Sequence, residues 1–240
     1  MNNRITVFRL TIVVIIIQFF WIRSDDSFDS MIPFLSELES ADTVAGNMFL
    51  LMYSYLPFTF FLLCFSGSMR ELIMGYGLLL TVRGQSRSRL LGTLMLKSFI
   101  TFSCITAVMG VIYTIGSAEW WMSIAWQKQL QALLLYNITV ITMIQLQYLL
   151  ELYMESHYAN GAVILFGLIS LFATGIISAV ENSKMVMLNL FLFPNLAFAK
   201  KNGVLGLGEI TFSVSLLTLL IIYFVLTLLI LQSFRRKDII

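Results

Sequence analysis

Charge is scarce in this chain. Only 12% of its 240 residues are Asp, Glu, Lys or Arg, and 59% are apolar. Soluble domains carry about 25% charged residues, so with a mean hydropathy of +0.89 a water-soluble globule is excluded. The formal net charge is +2. With no basic patch outside the connecting segments, there is no electrostatic footprint for nucleic acid. Cysteine is nearly absent. Cys64 and Cys104 lie in apolar runs, without the spacing of a disulfide framework or a zinc site, and read as small packing residues. The single histidine, His157, lies near Glu151 and Glu155. These groups can ligate a metal, but nothing nearby completes a set, and a solvated loop is the simpler reading.

Catalytic signatures are missing too. No charged residue falls near the middle of an apolar run, where coupled carriers and intramembrane relays usually need one. No inverted repeat is visible. Gly203, Gly206 and Gly208 have the look of a phosphate loop, but no Lys-Ser/Thr pair follows them. The chain is therefore expected to be no enzyme and to hold no cofactor or metal.

Long apolar runs are what it has. A membrane crossing needs about 20 apolar residues, because a helix rises about 1.5 Å per residue through about 30 Å of hydrocarbon. Six stretches qualify: 6–22, 44–65, 98–117, 132–150, 161–180 and 210–234. The first carries Arg9 near its end, where the side chain can snorkel. It reads as a span and not a signal peptide, since no small-x-small cleavage site follows. Pro57 predicts a kink in the second. Residues 24–42 hold six carboxylates and read either as an interfacial helix or as a plain acidic loop. Trp120, Trp121 and Trp126 favour the headgroup level. Residues 185–199 are apolar but broken by Pro194-Asn195, too short to cross, and predict a re-entrant segment before the sixth span. The expected fold is thus a single all-α integral membrane domain over 1–240.

Basic residues orient it. With both termini cytoplasmic, inside segments carry Arg4, Arg9, Arg70, Arg83, Arg87, Arg89, Lys97, Arg235, Arg236 and Lys237. Outside segments carry Arg23, Lys128, Lys184, Lys200 and Lys201. That asymmetry obeys the positive-inside rule and puts the loop 69–97 in the cytoplasm. Within it Leu72, Ile73, Tyr76, Leu79 and Leu80 form an apolar stripe at helical spacing. Arg70 and Glu71 open the loop, Gly84-Gln85-Ser86 reads as a turn, and Arg87 and Arg89 follow. A 29-residue loop with its own amphipathic helix reads as a docking surface; packing on lipid headgroups is the other reading.

Polar and small residues mark the spans. Asn137, Gln145 and Tyr148 are candidates for a translocation path, or for bonds to a neighbouring helix. Two stripes, Ser103, Thr106, Gly110, Thr114 and Ser117 in the third span and Gly167, Ser170, Thr174 and Ser178 in the fifth, suit close helix approach. The second is a candidate surface for pairing two copies.

The segment Arg70-Glu71-Leu72, Gly75 to Arg83, Ser86-Arg87-Ser88-Arg89, Gly92 and Lys97 resembles the loop between spans two and three of ABC-2-type permeases, the membrane subunits of ABC transporters. The compact length is similar to the bacterial peptide-export and self-immunity kind (YydJ-like). The resemblance implies a coupling helix resting in a groove of a separate ATPase. Arg70, Glu71, Arg83, Arg87 and Arg89 would face that ATPase, Leu72, Tyr76 and Leu79 would fill its groove, and Glu151, Glu155 and His157 would make a second contact. It further implies a second permease copy or paralogue, ATP and Mg bound by the partner, and a bacterial plasma-membrane location. The chain departs from the family in a truncated or missing N-terminal elbow helix and in Gly84-Gln85, where a proline-containing turn is common. Peptide export, or resistance to a peptide, is the expected function. The alternative is a non-transporting immunity or sensor protein that binds a peptide at its external face.

Overall fold

Apolar side chains on every face of a helix leave its backbone only one way to satisfy its polar groups without water, namely within the helix itself. The computed structural model follows that rule. It describes residues 48–74, 86–116, 126–179, 190–198 and 210–236, together with Ile12 and Ile16. Its elements are α1 (Met48–Phe65), α2 (Ser68–Met74), α3 (Arg87–Gly116), α4 (Trp126–Glu151), α5 (Ser156–Ala179), a 3-10 turn (Phe193–Ala197) and α6 (Phe212–Arg236). No strand occurs among the described residues.

Five helices among the described residues are long and apolar enough to cross a membrane. They match the second to sixth expected spans; the expected first span, 6–22, and the acidic segment 24–42 lie outside the described residues apart from Ile12 and Ile16. Helix α1 continues through Pro57.

Three boundaries differ from expectation. Helix α3 starts at Arg87, not near residue 98, so the second half of the expected loop is helical. Its polar residues lower the hydropathy, but Arg, Leu and Lys are good helix formers. Ser86 starts the helix, its carbonyl accepting from the Arg89 and Leu90 amides. Helix α4 begins at Trp126, six residues before the expected span. Helix α5 begins at Ser156, so His157 sits in its first turn and not in a loop.

Helix α4 is the post of the bundle. It touches α1, α2, α3, α5, α6 and the 3-10 turn. From Leu135 to Glu151 none of its residues is exposed. The core around it is aromatic and aliphatic: Phe61 meets Phe102 edge-on at 5.1 Å, and Phe102 meets Tyr136 at 6.4 Å. By contrast Leu217, Ile221, Phe224 and Leu228 on α6 are exposed, the pattern of a face turned to lipid.

Two close approaches fix the bundle. A Cβ on Gly167 would strike the Tyr55 hydroxyl and lie 2.9 Å from Cζ of the same ring. That bare backbone lets α1 reach α5, where the Tyr55 hydroxyl donates to the Ile164 carbonyl at 3.2 Å. Lower on α5, Ser170 is fully buried and donates to the Leu192 carbonyl at 3.1 Å. The Asn195 amide donates to both the carbonyl and the hydroxyl of Ser170 at 2.9 Å. This pins the 3-10 turn, buried from Phe193 to Phe198, against α5 and α4. Two residues of the expected pairing stripe are thus turned inward. Gly167 and Ser170 serve contacts within the chain, and the side chains of Thr174 and Ser178 lie outside the described residues.

Candidate functional site

Helix α1 ends at Phe65, and Gly67 turns the chain with φ +78, a backbone region glycine enters without strain. Helix α2 starts directly after it. Its first amides have no intrahelical partner, and Gly67 has no side chain to cap them. The cap comes from the end of α4. Glu151 accepts from the Gly67 amide at 2.7 Å on Oε1 and from the Met69 amide at 3.0 Å on Oε2. Gln147, one turn earlier, donates to Oε1 at 3.2 Å. Glu151 is only 4% exposed.

Around this buried carboxylate the neighbouring segments meet. The Ser66 hydroxyl donates to the Ser156 carbonyl at 3.4 Å. Arg70 pairs with Glu155 at 4.0 Å, and the other oxygen of Glu155 lies 3.4 Å from His157. The His157 ring lies 4.0 Å from that of Tyr158. Arg70, Glu155 and His157 are all open to solvent, as are Glu71, Met74, Tyr153 and Tyr158. The end of α6 joins them, the Tyr153 hydroxyl donating to Ser233 at 2.7 Å.

The first turns of α3 lie beside this surface, with Leu90 and Leu91 buried and α3 in contact with α2 and α6. They carry exposed Arg89, and Arg235 of α6 reaches Ser88 there through Nε at 3.4 Å. Further along, the hydroxyls of Ser98 and Tyr148 lie 2.6 Å apart.

The expected partner-facing residues divide accordingly. Arg70, Glu71, Arg89, Glu155 and His157 share one exposed end of the bundle. Leu72 does not project from it: half-buried, it packs on the core beside Met69 and Ile73. Glu151 is likewise inside. Tyr76, Leu79, Arg83 and the side chain of Arg87 lie outside the described residues. The sequence hid the role of Glu151, since a carboxylate near other polar residues reads as surface and its partners are backbone amides over 80 positions away.

Of the path candidates, two are closed off. Gln145 is 3% exposed and accepts from Thr227 at 3.1 Å, and Tyr148 is 1% exposed against Ser98. Asn137 alone of the three borders open space. It lines a groove of about 570 Å³ between α3 and α4 with Ser103, Thr106, Gly110 and Gln129, and its amide donates to Ser103 at 3.0 Å. Its Oδ1 has no hydrogen-bond partner among the described residues. No group of three metal-ligating side chains occurs among the described residues; Cys64 is half-buried and Cys104 exposed.

Helices of this length and apolarity, packed on a central post whose charged residues lie only near its two ends, define a multi-pass helical membrane protein. Residues 11–240 match the family described as "Protein of unknown function (DUF2705)", and the chain belongs to that family. No curated protein and no solved structure matches it.

Proposed function

We propose that this chain is the membrane-spanning permease subunit of an ABC-2-type transporter, exporting a peptide or conferring resistance to one. A separate ATPase supplies the energy and binds the ATP and Mg. The observation that carries the reading is the Arg70–Glu155 pair. It joins the two segments proposed to touch the ATPase into one exposed surface, beside Glu71, His157 and exposed Arg89 at the start of α3. Guanidinium groups around half-buried apolar residues suit a partly acidic, concave partner.

In this reading the Glu151 end is cytoplasmic with both termini, and residues 6–22 supply the first of six spans. The Phe193–Ala197 turn is the floor of a re-entrant segment: Ser170 lies nine residues into the span 161–180, or about 14 Å into the bilayer. Irregular backbone is tolerated at that depth where protein buries it. The host membrane is a bacterial plasma membrane. A second copy or a paralogue pairs with the chain through surfaces other than Gly167 and Ser170.

The test is co-purification of the tagged chain with an ATPase encoded beside it, and its loss in the Glu71→Ala/Arg83→Ala double variant with membrane insertion intact. Modification of a Met74→Cys variant by an impermeant reagent added outside the cell overturns the proposal. The groove beside Asn137, at the opposite end, favours a second reading as a non-transporting immunity or sensor protein holding a peptide there. Peptide binding without any co-purifying ATPase selects it.

A further inference from the structure

The chain connects α2 to α1 only through the turn at Ser66-Gly67, and glycine is the most pliant residue for such a joint. The other attachments of α2 are modest. Met69 and Ile73 are buried, the exposed Arg70–Glu155 pair sits at the 4.0 Å limit where such pairs contribute little, and the Ser66–Ser156 bond is long at 3.4 Å. The Glu151 carboxylate differs in kind. It receives the Gly67 amide, the Met69 amide and the Gln147 amide, and the Arg70 amide adds to them; among the described residues each of these partners is a donor. Only a group that accepts and does not donate matches that set, and an ionised carboxylate is that group. Its charge also faces the positive end of the α2 backbone dipoles.

We propose that the Glu151 carboxylate is a charge-dependent latch fastening α2 to α4, so that displacement of α2 is delivered to the central helix instead of being absorbed at Gly67. From α4 the movement can pass through the Tyr148–Ser98 and Asn137–Ser103 contacts to α3 and through the Gln145–Thr227 contact to α6. Glu151 is a positioning residue in this scheme. The latch goes beyond the transporter reading, because it holds whatever presses on α2.

The test needs no partner. In the full chain in lipid nanodiscs, with Cys64 and Cys104 replaced by alanine, a spin label is placed at Met74→Cys, a position 73% exposed and the last described residue of α2. A second is placed at Leu220→Cys on α6. Glu151→Gln keeps the size of the side chain but turns an N–H₂ toward an amide donor. It is expected to make the label at 74 severalfold more mobile and leave the label at 220 unchanged. Gln147→Leu removes a neutral donor and keeps the carboxylate, so the label at 74 stays restrained. The latch is overturned if Glu151→Gln leaves position 74 as restrained as the parent, or if 74 and 220 loosen together. Equal loosening by Gln147→Leu overturns the dependence on charge. Any of these outcomes leaves the ATPase reading to its own co-purification test.

Discussion

Among the described residues two short elements do not cross the bundle, and each is held by buried polar side chains. Helix α2 hangs from Glu151, and the Phe193–Ala197 turn hangs from Asn195 and Ser170. The chemistry differs with depth. Glu151 closes α4 at the end of the bundle, one layer beneath exposed Arg70 and Glu155. There a charge meets amide donors, and water is close. Ser170 lies some four turns along α5, about 21 Å from Ser156, and only neutral groups meet there. A carboxylate gives the stronger, more directional hold, but a membrane interior penalises it by about 3 kcal/mol or more. An amide gives less and costs less to bury.

The comparison breaks first if charge is tolerated at depth. Asn195→Asp is expected to cost about 3 kcal/mol or more, seen as loss of folded protein from purified membranes; near-normal yield and melting temperature would contradict it. Next in size is Glu151→Ala, which leaves backbone amides without their acceptor. A loss of about 2–3 kcal/mol is expected, read as a lower thermal midpoint in detergent. Gly167→Ala probes steric closeness without charge. Its Cβ meets the Tyr55 ring, and overpacking of about 1–3 kcal/mol should be partly relieved by Tyr55→Phe in a double-variant cycle. Arg70→Ala should have the smallest effect on stability, about 0–1 kcal/mol, because both partners are exposed. In the transporter reading the same change weakens ATPase capture, so unaltered capture would blunt the proposal while leaving the fold undisturbed.

What the sequence disclosed follows the same division. Five helices were legible as apolar runs, because length and apolarity are what a hydrocarbon slab selects. The start of α3 was not, since Arg87, Arg89 and Lys97 end a hydropathy plateau without ending a helix. The Phe193–Ala197 turn was legible through Pro194-Asn195 in a run too short to cross. What held it was not: Ser170 sat in a stripe equally suited to a second copy. Gln145 and Tyr148 were ambiguous between a path and a neighbour, and the neighbour is what they have. Leu72 fell on the expected apolar stripe, yet nothing in a stripe distinguishes a chain's own core from a partner's groove. Glu151 was the hardest, for backbone amides carry no sequence signature.

The enclosure of α4 has a bearing on assembly. A rod with no exposed residue from Leu135 onward offers a sister subunit little flank among the described residues, apart from the groove that opens beside Asn137. A partner elsewhere in the bilayer therefore grips the periphery, and learns of events at the hub through the helices that surround it.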